Sequence, residues 1–435
     1  MRVLWVCNIM PPVIGQYLGK ECSVKEGWIS GILMRMIKEK EQIELGICYP
    51  VADTSEEDKK EVIIDSDIKI VCYGFVEDTV KPENYGGESL EKRFGAIFED
   101  FKPEVLHVFG TEYGHSLAAV KAYGNPKHTL VGLQGIISVC AKEYMAHLPR
   151  EVQSWVTFRD WLKKDSMKQQ QEKFFIRGER EKEVLRLCGN VTGRTDFDRE
   201  AAENINPKVK YYFMNETMRG EFYEGKWEYK KCRKHSIFFS QADYPLKGFH
   251  YLLQALKIVK EKYPDVTVNV AGNSLVNYAT LKDKIKISAY GKYLRELIKE
   301  LDMEDKITFL GKLSAKEMKQ QYLSCHTFVC SSTLENSPNS VGEAMLLGTP
   351  VVASYAGGIP SMVKQEEEGL LFEAANIKAL AEAIMRTWED SSLVDKMTTG
   401  ARARARKTHD ADENYRVLMG MYNCIEGLDK RENFK

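Results

Sequence analysis

The 435-residue chain has almost no net charge, because 62 lysines and arginines stand against 63 aspartates and glutamates. A nucleic-acid binder neutralises many phosphates and carries a clear basic excess, so that class is set aside. C-x-x-C pairs are missing too; the ten cysteines are scattered, and only Cys325, His326 and Cys330 lie close together. Structural zinc needs two such clusters, so no metal site is expected. No apolar run is long enough to span a membrane, and the opening MRVLWVCNIMPP is too short for a signal h-region. Scattered cysteines without a signal peptide point to a reducing, cytoplasmic setting, in which the sequon Asn215-Glu216-Thr217 is accidental. G-x-G-x-x-G is absent, which argues against a dinucleotide-dependent dehydrogenase, and 15–20 lacks the spacing and the terminal Ser or Thr of a P-loop. There are no short-period repeats and no low-complexity segment.

What the chain does have is strands alternating with helices. Its length exceeds the size at which one core keeps growing, so two domains are expected. RVLWVC, IELGICYP, IKIVCYGF, EVLHVFG and HTLVGLQG read as strands, with helices near 89–101 and 113–123. That alternation implies a parallel sheet wrapped on both faces. RVLWVC is followed by a long Gly/Pro-punctuated loop, NIMPPVIGQYLGKECSVKEG, and then by a helix, GWISGILMRMIKEK; long loops in compact domains tend to be functional. From 150 to 186 the pattern is that of a surface helix packing Trp155, Phe158, Trp161 and Leu162 on the domain. With Lys163, Lys164 and Lys168 beside them, a weak peripheral membrane contact is the other reading. NVTGRTDFDRE reads as strand, turn and helix start, with Thr195 or Asp196 able to cap. Between 222 and 234 the charged EGKWEYKKCRK marks a linker. SIFFS, VTVNVAGN, KITFLGKL, HTFVC and TPVVAS then supply a second sheet.

The most informative stretch is SSTLENSPNSVGEAMLLGTPVVAS, 331–354. Pro338 bars a helix from starting before Asn339 or Ser340, and Ser340 with Glu343 forms an S-x-x-E capping pattern. Val341, Ala344, Met345 and Leu347 give the helix an apolar side, and Gly348 and Pro350 end it. Such a helix start suits a phosphate. Glu335 and Glu343, in E-x7-E spacing, frame the carboxyl edge of the sheet, where doubly wound folds bind ligands. On spacing alone, Glu343 equally well closes a capping box and Glu335 is equally well a solvated loop charge.

The stretch resembles the E-x7-E motif of glycosyltransferase family 4, retaining enzymes of the GT-B fold. GTPVVASYAGGIP is similar to the same family's next strand and diglycine turn. The resemblance runs from about 236 to 380 and is weaker in the N-terminal half. It implies an α/β GT-B fold, two Rossmann-like doubly wound domains facing across a cleft. An acceptor-binding domain would span 1–222 and a nucleotide-sugar-binding domain 235–405, with a helical segment, 406–435, returning to the first. By this resemblance Glu335 lies near the donor sugar and Glu343 holds the ribose. Lys247, in a Lys-Gly pair, stabilises the leaving diphosphate, helped by Lys312. Gln241 donates hydrogen bonds in the Ser240-Gln241-Ala242 stretch, where the family usually has an arginine. Asn339, Ser340, Gly357 and Gly358 approach the phosphates, and Gly272 and Gly311 precede the base-contacting loops. In the first domain Gly27 remains of a family diglycine, with Gly15 a second candidate. Gln134 takes the place of the family's histidine beside the donor sugar, with His115 the nearest alternative.

VTGRTDFD and NETMRGEFY are similar to a subset of the family that builds bacterial cell-surface polysaccharides. The expected activity is therefore retaining, metal-independent hexosyl transfer from a UDP- or GDP-sugar to a glycan or lipid-linked acceptor. No permanently bound cofactor is implied. The setting would be cytoplasmic, at the inner face of the plasma membrane for a lipid-borne acceptor. A sugar-nucleotide epimerase of the same fold, for which Gln134 is a poor start, and a non-catalytic nucleotide-sugar-binding subunit are the competing readings.

Overall fold

In the computed structural model, which describes residues 1–20, 27–39, 43–64 and 68–427, the continuous apolar runs become central strands. The chain separates into two units. The first comprises Met1–Val139, Phe174–Arg219 and the chain from His409 onward; the second comprises Cys140–Lys173 and Gly220–Thr408.

The first unit is built on eight strands: β1 Arg2–Val6, β2 Glu44–Val51, β3 Lys60–Ile64, β4 Ile68–Val76, β5 Val105–Phe109, β6 Thr129–Gly132, β7 Asn190–Gly193 and β8 Lys210–Phe213. Their order is β3-β4-β2-β1-β5-β6-β7-β8, parallel throughout except for the antiparallel β3–β4 pair. Side chains of a strand alternate between faces, so β1 feeds two cores: Val3 and Trp5 enter one, Leu4 and Val6 the other. The helix Ala411–Glu426 covers the Trp5 face, where the Tyr422 hydroxyl accepts from Trp5 Nε1 at 2.8 Å and lies 2.7 Å from His107 Nδ1.

The second unit has six parallel strands: β9 Ser236–Phe239, β10 Thr267–Val270, β11 Ile307–Phe309, β12 Thr327–Cys330, β13 Val351–Tyr355 and β14 Leu370–Glu373. The order β11-β10-β9-β12-β13-β14 reverses direction between β9 and β12, which makes their carboxyl ends the switch point of the sheet. The helix Phe249–Lys262 buries Phe249, Leu252, Leu253, Leu256 and Val259, as its periodicity predicts.

Two expectations need correction. The stretch 150–186 is not one helix but three, Arg150–Gln153, Phe158–Lys163 and Met167–Leu187. Thr157 and Asp160 form a capping box that starts the middle helix, and Lys164, with φ 51°, ends it in the left-handed region. Nor is its aromatic side packed away: Trp155 lies against the core of the second unit, while Phe158, Trp161 and Leu162 are exposed. The loop after β1 also carries a short helix, Pro12–Tyr17, whose first position is held by proline; its part at 21–26 lies outside the described residues. Among the described residues no helix is long and apolar enough to cross a membrane, and nine cysteines are free.

Candidate active site

The switch point brings Lys247 and Glu335 together. After β9 the chain makes a single 3-10 turn, Pro245–Lys247, and leaves it through Gly248 at φ +69°. This turn is stitched to the loop after β12: Thr333 N–H donates to the Leu246 carbonyl at 2.8 Å and the Ser331 hydroxyl to that of Gly248 at 2.8 Å. A Cβ at Gly248 would stand 1.9 Å from the Ser331 carbonyl oxygen, so only glycine permits the approach. The stitching sets Lys247 Nζ 2.7 Å from Glu335 Oε1, which also accepts from the Ser332 hydroxyl at 2.7 Å. Burial on its own would lower the pKa of Lys247, but the Glu335 carboxylate, with Tyr244 behind it, raises it well above the usual lysine value. The lysine is therefore charged at any physiological pH.

Glu335 is held from its other side by the diglycine. Gly358 N–H donates to the Glu335 carbonyl at 2.9 Å, and a Cβ on Gly357, at φ +54°, would lie 2.0 Å from the same oxygen. The diglycine thus shapes the Glu335 turn, and the Gly358 amide expected at a phosphate is already engaged.

The helix after Glu335 is Asn339–Leu347, and its cap corrects the sequence reading. Pro338 occupies the N-cap, so Ser340 falls inside the helix and makes no side-chain cap hydrogen bond. Glu343 closes no box; it is buried, and its Oε2 accepts from the Tyr322 hydroxyl at 3.2 Å. The buried Oδ1 of Asn339 has no hydrogen-bond partner. Along the same sheet edge, Gln241 Nε2 donates to Asp243 at 3.0 Å. Gly272 and Gly311 exchange backbone hydrogen bonds at 2.8 and 3.1 Å, joining the loops after β10 and β11, and Lys312 is exposed beside them.

In the first unit Gln134 follows β6, and its carbonyl accepts from Arg194 Nη2 at 3.2 Å. Arg194 Nη1 lies 2.6 Å from Glu216 Oε1. Sequence reasoning missed this pair as site residues, although TGRTDFD and NETMRGEFY had been singled out as motifs. Gln134, Arg194 and Glu216 line a small, water-sized cavity of about 30 Å³ with His107 and Thr192. Glu216 Oε2, Thr192 Oγ1 and His107 Nε2 are buried there without hydrogen-bond partners, so the cavity offers polar atoms of the kind that hydroxyl groups satisfy. His115, the alternative to Gln134, is not available: its Nδ1 is 2.7 Å from Glu77 Oε2 and its backbone N–H donates to Glu77 Oε1 at 2.7 Å. Nor is the helix Ile137–Glu143 an open anion site, because the buried Glu181 carboxylate accepts from the Ile137 and Ser138 amides at 2.9 Å. Gly27 opens the helix Gly27–Glu39, and Gly15 is buried within the short helix Pro12–Tyr17.

Residues 226–404 match the family model described as Glycosyl transferases group 1. A D-inositol 3-phosphate glycosyltransferase of Corynebacterium urealyticum is 30% identical over 180 residues, 41% of this chain and 41% of that protein. Spore coat protein SA of Bacillus subtilis is 27% identical over 41% of this chain and 45% of its own length. The chain spans about two fifths of the length of the curated relatives it matches. Over 99% of this chain the structure resembles sucrose-phosphate synthase from Thermosynechococcus elongatus, all of which is covered, with a TM-score of 0.68 at 14% identity. HepE from Anabaena, solved in complex with UDP, aligns over 98% of this chain and all of its own at a TM-score of 0.63 and 17% identity. The fold is thus that of GT-B glycosyltransferases, with two parallel-sheet domains.

Proposed function

From the premise that residues 226–404 are a group 1 glycosyl transferase domain, we propose that the protein transfers a hexosyl residue, with retention, from a nucleotide-diphosphate sugar to a glycan or lipid-linked acceptor. The observation that carries this is the contact of Lys247 with Glu335 at the switch point of the second sheet, 2.7 Å apart and still partly open to solvent. A diphosphate arriving there competes with Glu335 for a lysine that is already charged and held in place, so little reorganisation is needed when negative charge grows on the leaving oxygen. The amides of Asn339 and Ser340, at the start of their helix, and the Ser340 hydroxyl add donors for the same charge. Glu343 takes the ribose hydroxyls, while Gly272, Gln241 and Lys312 border the base and phosphates.

In the step itself the bond from the anomeric carbon to the diphosphate oxygen breaks and one to the acceptor oxygen forms on the same face. The acceptor's proton leaves with the nucleoside diphosphate. Glu335, freed from Lys247, orients the donor sugar through its hydroxyls, and Gln134 serves as a hydrogen-bonding group on the acceptor side. The first unit would bind the acceptor and the second the donor. HepE structures solved with UDP and with UDP-glucose favour a uridine donor. Polysaccharide assembly at the cytoplasmic face of the membrane is the setting that the motifs VTGRTDFD and NETMRGEFY favour.

The test is a thermal-shift panel of UDP and GDP followed by turnover with a glycan acceptor, the anomeric product being read by NMR. A nucleotide at a hundred times its dissociation constant should stabilise by about 2.7 kcal/mol. Stabilisation by neither nucleotide would sink the proposal. Binding without transfer, unaltered in Lys247→Ala, would leave a nucleotide-binding subunit instead.

A further inference from the structure

We propose that two short helices of the second unit, Phe158–Lys163 and Leu281–Lys286, form one docking face for an anionic lipid bilayer. This deepens the membrane setting proposed above, but rests on neither the donor site nor the transfer step. The two helices lie against each other. Each leaves its apolar residues in solvent: Phe158 is 57% exposed, Trp161 67%, Leu162 64%, Leu281 78% and Ile285 52%. A soluble surface rarely gathers so many large apolar side chains, and such a patch marks an interaction site.

The patch is mounted rigidly. The Thr157 hydroxyl donates to the Ile287 carbonyl at 2.8 Å, and the buried Asp160 carboxylate accepts from the Ala289 amide at 2.8 Å. Those two bonds fix the first helix to the chain that leaves the second. The aromatic rings of Phe158 and Trp161, 5.9 Å apart, are therefore presented outward by design of the backbone and not by fraying.

Charge selects the occupant. Lys163, Lys164, Lys168, Lys282, Lys284 and Lys286 lie in or beside these two helices, all of them exposed, with Lys284 over the Tyr278 ring. The acidic residues in these segments are spent locally: Asp160 is buried in its cap, Asp165 pairs with Lys173 and Arg159, and Asp283 accepts from Thr280. A second copy of the chain docked face to face would set lysine against lysine. An anionic bilayer instead satisfies both features, taking tryptophan and phenylalanine at the headgroup level and lysines against its negative surface. The near-zero charge of the whole chain supplies no long-range pull, so attachment is local, reversible and salt-sensitive.

Flotation of the full-length protein with phosphatidylcholine vesicles, with and without roughly a third of phosphatidylglycerol, tests this at low salt and at about 0.5 M salt. Binding to the anionic vesicles only, lost at high salt, is expected. The double variants Phe158→Ser/Trp161→Ser and Lys284→Glu/Lys286→Glu should each lower the bound fraction about tenfold, while circular dichroism and nucleotide-induced thermal shift stay at wild-type values. Wild-type protein that remains in solution overturns the proposal, as does equal binding to neutral vesicles or unchanged flotation of both variants. A dimer in light scattering that Phe158→Ser/Trp161→Ser returns to monomer would assign the face to a second copy and overturn it likewise. None of these readouts involves glycosyl transfer, so the two proposals fail separately.

Discussion

In the second unit Lys247 meets Glu335 with side chains 18% and 13% exposed, whereas in the first Arg194 meets Glu216 with 6% and 8% exposed. Both pairs stand beyond the carboxyl ends of parallel strands, yet their supports differ. The lysine pair sits where the strand order reverses and is framed by two glycine turns, Gly248 and Gly357. The arginine is fastened by two further bonds, to the carbonyls of Leu133 and Gln134. A flexible ammonium with one carboxylate partner can change partner when a diphosphate arrives; a guanidinium held by three groups cannot do so without leaving them unpaired. The same kind of charge pair is thus built once as an exchangeable contact and once as a fixed wall.

Breaking the fixed pair should have the largest effect. Arg194→Ala leaves the Glu216 carboxylate buried without its cation, and removal of one partner of a buried pair typically costs about 3–5 kcal/mol. Urea denaturation should show that loss, and a loss under about 1 kcal/mol would mean that solvent reaches the pair as freely as it reaches Lys247.

Lys247→Ala should reverse the pattern, with turnover lowered by about two orders of magnitude or more. Stability should change much less than in Arg194→Ala. A tenfold loss of turnover or less would shift the diphosphate role to Lys312 or to the amides of Asn339 and Ser340. Glu335→Ala belongs to the same experiment, since it should spare much of the nucleotide affinity and remove most turnover, while Glu343→Ala should weaken nucleotide binding itself.

Acid should act on both units through buried neutral histidines. His409, 2.7 Å from the Glu216 carbonyl, and His250, between Tyr290 and the Ala146 carbonyl, are each lowered by burial to a pKa of about 4. Their folded values lie below the unfolded one, so the unfolded chain binds more protons between them. The stability they support is complete above about pH 6.5 and falls as pH drops toward 4. For one such histidine the loss from pH 7 to 5.5 is on the order of 1 kcal/mol. His409→Gln should remove that share of the pH dependence, and an unchanged slope in urea denaturation would show that His409 titrates alike in the folded and unfolded chain.

The strands that sequence reading identified and those it passed over differ in where they lie. RVLWVC, EVLHVFG, SIFFS and HTFVC are central and buried on both faces, so they read as unbroken apolar runs. β3, β8 and β14 were not recognised, and all three are edge strands. KEVII and KYYF are half exposed, so their apolar signal is diluted. Glu335 and Lys247 were legible because each stands in a short motif, but their contact was not, since it depends on a turn and a loop 88 residues apart being stitched together. Arg194 and Glu216 lie in loops after β7 and β8, where no periodicity marks them. The breaks in 150–186 were written in Thr157-x-x-Asp160, a capping pattern that the wider helical periodicity obscured.

The smallest expected effect separates two caps that look alike in sequence. Thr195-x-x-Asp198 in the first unit and Ser340-x-x-Glu343 in the second both have the spacing of a capping box, but only the first forms one, Thr195 accepting from the Asp198 amide at 3.2 Å. Thr195→Ala should therefore cost about 1 kcal/mol, the usual value of a lost N-cap. Ser340→Ala should change stability by less than about 0.3 kcal/mol, because Pro338 already holds the cap position and the serine hydroxyl makes no cap bond. Its consequence should appear instead in nucleotide affinity, as the loss of one donor near the phosphates. Equal destabilisation by the two substitutions would mean that Ser340 caps its helix in solution, and would remove its hydroxyl from the donor site.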